Sequence, residues 1–357
     1  MLETPVHIEP PKPERIVRES LLDLGKLDHE DHQIGAGRIV VDHAYVPATD
    51  QPPQHISIYL GGLPHGPEQN TAGDPQEIGN IPTLLTTQSD AVVILKPEGL
   101  NNEAYMEGGQ AFGQQRVAEA SLLTLQRILS EKLTDRQRAA LHFTLVGYSE
   151  GASQGASLAK QMLELGMNVD GLVGLEPPGV AGYSSQRDAR IAPAHLGIDF
   201  VKKYIRRLRE GDDGYIPKKT DYGYHIPRRL IDSYNKILDG EKPQTRDQLR
   251  NISNYGRRIL GGVGRLDVPR RLVSERMKAL WTKNHDYDAL VSAGVPVSLF
   301  CGTLSDVIDY DGVQKQVSDW KRTIPNSRTQ LISSRSTHAL VNLKSLGVGF
   351  ANALKPA

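Results

Sequence analysis

The sequence is short of several features that mark whole classes of protein. It has one cysteine, Cys301, so an internal disulfide is impossible and a zinc site built from cysteines is not expected. Basic and acidic residues number 42 each, and the net charge of zero predicts no general attraction to nucleic acid or membranes. No apolar stretch approaches the roughly 18 residues of a membrane span, and the first residues lack the basic and apolar regions of a signal peptide. These absences predict a soluble, cytoplasmic protein.

Motifs for cofactors and metals are also missing. The sequence contains no dinucleotide fingerprint and no phosphate-binding P-loop, and His29, His32 and His43 show no metal-ligand spacing. We therefore expect neither a cofactor nor a metal. Of the other histidines, His142 lies in an apolar run and is expected in the core, whereas His65 is a candidate to line a pocket.

The most informative motif is G-Y-S-E-G at residues 147–151. An apolar, strand-like run precedes it, and a helix-like segment from Ala152 to Leu165 follows. A strand, a sharp turn and a helix are the setting in which a nucleophilic serine is held clear of a sheet. The turn forces Ser149 towards a strained backbone and brings strand and helix so close that glycine is needed two residues to either side. Ser149 is therefore the candidate nucleophile; the alternative is an ordinary turn serine.

A second match, G-A-S-Q-G at residues 151–155, overlaps the first. No strand precedes Ser153, which would lie about one turn into the helix. We interpret Gly151, Gly155 and Ala159 as a small-residue face of that helix packing against the sheet.

Strand-like and helix-like segments alternate through most of the chain. Short apolar runs of the kind found in buried parallel strands are separated by segments with helical spacing, such as Gly113 to Leu133. This alternation predicts an α/β fold, a mostly parallel sheet flanked by helices.

The region 183–290 differs from the rest of the chain. It holds eight of the 13 tyrosines and has 23 basic against 14 acidic residues, a net charge of +9 that the remainder balances with −9. We interpret it as a mainly helical insertion. The predicted domains are an N-terminal extension at 1–33, a core in two parts at 34–182 and 291–357, and this insertion between them.

A nucleophilic serine needs an imidazole base and a carboxylate that orients it. Asp306 follows the apolar strand that ends near Cys301, and His338 follows the last predicted strand. Both are expected at the carboxyl edge of the sheet, where sites form in this class of fold. Asp306 is the expected acid and His338 the base, with Asp309 and Glu176 as rival acids.

An acyl-transfer site also needs two backbone N–H donors for the developing oxyanion. One candidate is Glu150, directly after the serine. The other is Leu63, with Gly62 as runner-up, in the glycine turn that follows an early strand. The alternative for this turn is a glycine turn without a ligand.

Together these motifs resemble the α/β-hydrolase superfamily. The resemblance covers roughly 35–182 and 291–357 and includes the order serine, acid, histidine. It implies a helical cap at 183–290, between the sixth and seventh strands. It also implies a catalytic triad of Ser149, Asp306 and His338 with an oxyanion hole at Leu63 and Glu150.

The resulting expectation is a cofactor-free serine hydrolase, esterase- or lipase-like, that cleaves a small acyl substrate through an acyl-enzyme. The bond could be a carboxylic ester, a thioester or an amide, and the same triad also serves serine peptidases and C–C hydrolases. A non-catalytic binding protein on the same fold, using the basic cap, is the alternative from another class. The sequence makes no prediction of oligomeric state.

Overall fold

An eight-stranded, mostly parallel sheet forms the centre of the protein. The computed structural model describes residues 28–35, 37–61, 85, 88–97, 110–182, 282–302 and 308–334. The strands are β1 (Asp28–Ile34), β2 (Gly37–Pro47), β3 (His55–Leu60), β4 (Ala91–Pro97), β5 (His142–Tyr148), β6 (Asn168–Leu175), β7 (Val297–Gly302) and β8 (Thr329–Ser334). The described helices are α1 (Gln110–Lys132), α2 (Asp135–Ala139), α3 (Glu150–Glu164), α4 (Asp286–Ser292) and α5 (Tyr310–Thr323).

The strand order across the sheet is β1-β2-β4-β3-β5-β6-β7-β8. β2 runs antiparallel to both of its neighbours, and every pairing from β4 to β8 is parallel. The carboxyl ends of β3, β5, β6, β7 and β8 therefore meet at one edge. The predicted α/β class is confirmed by this topology.

The apolar runs are explained by burial on both faces of the central strands. In β4 every residue except Lys96 is buried. Residues from α1, α3, α4 and α5 join one cluster with Ile58, Val93 and Leu145. On the other face, Ile94, Val146 and Val173 form a second cluster, in which Leu85 is the one described member outside the sheet. Period-2 alternation is lost in such strands because both faces need apolar side chains.

Two parts of the structure differ from the sequence-based boundaries. β1 lies almost wholly within the segment predicted as an N-terminal extension, and it pairs with β2 along its full length. Residues 282–290, predicted as the end of the insertion, contain most of α4, whose Tyr287 and Leu290 are fully buried in the main cluster. The sheet thus begins earlier, and the core resumes earlier, than the sequence indicated.

Other predictions concern residues that the structure does not describe. These are the first 27 residues, most of the insertion (183–281) and the last predicted helix, Leu343 to Leu354. In the described part of the chain, no helix has the length and apolar character needed to cross a membrane.

Candidate active site

Ser149 occupies the sharp turn between β5 and α3. Its backbone is left-handed, with φ of 52° and ψ of −125°, and its exposed fraction is 7%. A non-glycine residue in this region carries strain of about 1–3 kcal/mol, which neighbouring structure must offset. Here the Ser149 N–H donates to the Leu175 carbonyl at 2.8 Å, and its own carbonyl accepts from the Ala152 N–H at 2.9 Å. The serine hydroxyl makes no capping hydrogen bond to the first turn of α3.

The two glycines around Ser149 are required by close backbone approach. A Cβ on Gly147 would overlap the backbone of Gly151 and Ala152 at the start of α3. A Cβ on Gly151 would overlap the carbonyl oxygens of Leu60 and Gly61 at the end of β3. The turn therefore forms only because both positions lack a side chain, as the sequence pattern predicted.

The same close approach brings the exit of β3 beside Ser149. Gly61 contacts the first turn of α3, and Glu150 is the first residue of that helix, so its N–H lies at the positive end of the helix dipole. Glu150 itself is buried. Leu63 and Gly62, the other candidate oxyanion donors, lie just beyond Gly61 and outside the described residues.

Asp306 and His338 also lie outside the described residues. The strands that lead to them end at Gly302 and Ser334, which are register partners at the carboxyl edge. Each residue follows its strand by four positions. Their placement relative to Ser149 therefore stays a prediction.

Both rival acids have defined contacts. Asp309 is the N-cap of α5, where its carboxylate accepts from the Gly312 N–H at 3.2 Å. Glu176 is fully buried directly after β6, and its Oε1 accepts the Gly302 N–H. Asp309 thus has a structural role that accounts for its residue type.

Ser153, the serine of the overlapping motif, is a buried residue with a structural hydrogen bond. It is fully buried one turn into α3 and donates its hydroxyl hydrogen to the Pro178 carbonyl at 2.5 Å. The small-residue face that was predicted around it is present: a Cβ on Gly155 would lie 3.4 Å from Leu172, and Ala159 is fully buried.

Asn284, which sequence reasoning missed, hydrogen-bonds both to α3 and to the chain that follows β6. Asn284 is buried, and its Nδ2 donates to the Ser153 carbonyl at 3.0 Å, while its N–H donates to the Gly179 carbonyl at 2.8 Å. Nothing in the local sequence could have revealed this contact, because Asn284 falls in a segment interpreted as insertion.

Four described histidines lie away from the turn at Ser149, on β1, on β2 and at the start of β5. His142 is exposed rather than in the core, at the end of β5 opposite the serine, with Nδ1 2.9 Å from Asp170. His29, His32 and His43 lie on β1 and β2. No group of three or more potential metal ligands occurs within the described ranges. His65 is outside them.

Cys301 is a core residue, as predicted. It is buried within β7, and burial, with a smaller contribution from the Glu176 charge, raises the pKa of its thiol well above the ordinary range. The thiol is therefore an unreactive packing group.

The topology and the turn define the class of fold. A mostly parallel eight-stranded sheet with this strand order, an antiparallel second strand and a serine turn after the fifth strand constitute the α/β-hydrolase fold. The expected superfamily resemblance is thereby borne out at the level of fold.

Comparisons with known proteins gave matches among solved structures alone. No family model matches the chain, and no curated protein matches it. Among solved structures, a probable hydrolytic enzyme from Pseudomonas aeruginosa is 14% identical with a TM-score of 0.48, covering 93% of each chain. Proline iminopeptidase from Mycobacterium smegmatis is 13% identical with a TM-score of 0.45, covering 92% of this chain and 97% of its own. A thermostable carboxyl esterase from Bacillus coagulans is 13% identical with a TM-score of 0.43, and the match covers 86% of this chain and 90% of the esterase.

All three proteins are hydrolytic enzymes by name. The assignment of the fold rests on the strand order and on the turn at Ser149.

Proposed function

We propose that this protein is a serine hydrolase that cleaves a carboxylic ester, a thioester or an amide through an acyl-enzyme. The observation that carries the proposal is Ser149 itself. A non-glycine residue with left-handed φ stands at the carboxyl edge of the sheet, directly before the amino end of α3. Such strain at a catalytic position is part of how a nucleophile is presented to substrate.

In the proposed reaction, the Ser149 hydroxyl attacks the substrate carbonyl while His338 takes its proton. The Leu63 and Glu150 N–H groups stabilise the negative oxygen of the tetrahedral intermediate. His338 then protonates the leaving group, and water hydrolyses the acyl-enzyme by the same route in reverse. Asp306 orients His338 and stabilises its charged form.

The lengths of chain available are compatible with these roles. Neighbouring strands are about 4.8 Å apart, so β8 lies roughly 14 Å from β5 across the sheet. Four residues reach up to about 14 Å when extended. The four residues from Gly302 to Asp306, and from Ser334 to His338, are thus enough to bring both side chains back towards Ser149.

Asp306 is preferred as the acid because the rivals have other contacts. Asp309 caps α5, and Glu176 is bound to Gly302. We expect Asp306→Asn to lower kcat by about four orders of magnitude, because the imidazole loses its orienting charge. A near-native rate in Asp306→Asn together with an inactive Glu176→Gln would overturn this assignment.

Labelling with a fluorophosphonate tests the proposal most directly. The reagent should label the protein stoichiometrically at Ser149, and Ser149→Ala should abolish both labelling and ester turnover. Ser153→Ala is the matched control, since that hydroxyl is committed to Pro178, and it should still label. Absence of labelling in the folded wild-type protein would favour a non-catalytic binding protein on this fold.

In this proposal, the region 183–290 determines which substrate, and therefore which bond, reaches Ser149. A chain segment that leaves after β6 departs from the carboxyl edge of the sheet, where Ser149 lies. We expect this segment to act as a cap over the site, with its tyrosines as rigid, amphipathic pocket walls. A small acyl substrate fits such a site.

A further inference from the structure

Glu176 combines three features that are individually uncommon. It is the first residue after β6, it is fully buried, and its backbone is left-handed with φ of 50°. Non-glycine residues rarely adopt this conformation, and burial of a carboxylate is unfavourable unless hydrogen bonds compensate. A residue that carries both costs is held by specific contacts.

Those contacts connect the nucleophile strand to the end of β7. The Ser149 N–H donates to the carbonyl of Leu175, the residue before Glu176. The Glu176 N–H donates to the Phe300 carbonyl at 2.8 Å, and Glu176 Oε1 accepts the N–H of Gly302. Two consecutive residues thus link Ser149 to the last residue of β7.

The Glu176 side chain supplies a hydrogen bond to β7 beyond the point where the pairing of β6 with β7 ends. Leu175 and Phe300 are the last register pair between β6 and β7, yet β7 continues for two more residues. The Gly302 N–H extends beyond the end of β6, and the Glu176 carboxylate accepts it where a further strand carbonyl would otherwise lie.

We propose that Glu176 is a positioning residue that fixes the end of β7 relative to Ser149, and through it the loop that carries Asp306. This inference rests on the proposed function, because Asp306 matters only if a serine, histidine and acid act together. Glu176 would act through Gly302 and would not touch the substrate.

Three substitutions at Glu176 test this role. Glu176→Gln keeps an acceptor oxygen at the same reach and should retain most of kcat. Glu176→Ala removes the acceptor and should lower kcat up to about 100-fold with little change in KM, the size of loss expected for a small misplacement of a catalytic group. Glu176→Asp keeps the carboxyl group but is one methylene shorter, so its kcat should lie between those of the glutamine and alanine variants. This variant provides the test if Glu176→Ala does not fold. Glu164→Ala, at an exposed carboxylate of α3, is the control.

The pH dependence of kcat/KM separates positioning from general destabilisation. If Asp306 shifts away from His338 in Glu176→Ala, the imidazole loses a negative neighbour and its pKa falls. The acidic limb of the profile should then move to lower pH in Glu176→Ala and stay in place in Glu176→Gln.

Native kcat and an unshifted profile in Glu176→Ala or Glu176→Asp would overturn the inference. An inactive Glu176→Gln with an active Asp306→Asn would overturn it differently, by making Glu176 the acid itself. The second result would also replace Asp306 as the acid of the proposed reaction. Neither result would affect the proposal that Ser149 is the nucleophile of a hydrolase, which fails separately if Ser149→Ala keeps its activity.

Discussion

At the scale of single residues, the turn at Ser149 depends on where side chains are absent. Gly151 and Gly155 lie one helical turn apart on the same face of α3, but their surroundings differ. A Cβ at Gly151 would meet fixed backbone carbonyls at the end of β3, whereas a Cβ at Gly155 would meet side-chain atoms of Leu172 and Leu60 at 3.4 and 3.6 Å. Backbone cannot move aside without disturbing the sheet, while distances of that size are ordinary packing.

This difference predicts opposite outcomes for two similar substitutions. Gly151→Ala should lower the free energy of unfolding by about 1–3 kcal/mol or more, as overpacking does, and should also reduce labelling of Ser149. Gly155→Ala should change stability by no more than about 1 kcal/mol, because helix propensity favours alanine. Urea unfolding of both variants is the measurement. Equal stability of the two would contradict the steric explanation.

His55 predicts a pH dependence of stability. Its Nε2 lies 2.9 Å from Thr144 Oγ1, and its Nδ1 is buried without a hydrogen-bond partner among the described residues. Burial lowers the pKa of this imidazole, opposed by the charges of Asp170 and Asp90 and assisted by that of His142. Because the folded state binds the proton less readily than the unfolded state, stability is greatest above the unfolded pKa and falls with pH below about 6.5.

We therefore expect the free energy of unfolding to decrease between pH 7 and pH 5. Burial also lowers the pKa of His43, so His55→Gln should reduce this slope without abolishing it. His285→Gln, at an exposed position, is the control. An unchanged slope in His55→Gln would show that another group is responsible.

At the scale of elements, α3 has contacts beyond the turn at Ser149. The chain leaving β6 and the chain returning before α4 both contact this helix. Ser153 binds the outgoing Pro178, Asn284 binds Ser153 and Gly179, and Ser157 donates to Asp286 at 2.6 Å. The described residues on either side of the region 183–281 are thus joined to each other on the helix that follows Ser149.

Asn284 is the centre of this arrangement and should be costly to remove. Asn284→Ala deletes the buried Nδ2 bond to Ser153 and the part-buried Oδ1 acceptor of the Asp286 N–H. We expect a loss of about 2–3 kcal/mol in the free energy of unfolding. Asn168→Ala, which removes one bond from an exposed residue to the Leu141 carbonyl, should cost about 1 kcal/mol or less. Equal losses would contradict the central role of Asn284.

At the scale of the whole molecule, charge is separated along the sequence. The region 183–290 carries +9 and the remainder −9. Such an imbalance can attract an anionic substrate, or it can pair the region 183–290 with the rest of the chain. We favour pairing, because the two charges balance and half-buried arginine commonly pairs with carboxylates.

Hydrolysis of neutral and anionic esters with equal acyl length distinguishes the two roles of charge. Pairing predicts similar kcat/KM for both esters, with little effect of added salt. A large preference for the anionic ester that disappears at high ionic strength would instead indicate a charged substrate, since salt screens such attraction. In that case the basic region would contribute directly to specificity.

The sequence by itself determined the features that depend on neighbouring residues. Buried parallel strands such as β4 are apolar along nearly their whole length, and α1 and α3 have helical spacing. Their positions were therefore predictable to within a few residues. The turn at Ser149 was predictable because its strained backbone and the need for glycine at Gly147 are local requirements, whereas Gly151 is required by the approach of β3. The carboxyl-edge location of a site followed from strand direction alone.

Tertiary structure alone decided the features that join distant parts of the chain. β1 is rich in charged and polar residues, with only Ile34 buried, and it is a strand because β2 supplies its hydrogen bonds. Glu176 and Gly302 are 126 positions apart, and Asn284 and Ser153 are 131 apart. A local pattern cannot encode such pairs, because the same residue types would be equally acceptable in a solvated loop. Their roles arise only when the sheet aligns its strand ends and α3 contacts both Pro178 and Asn284.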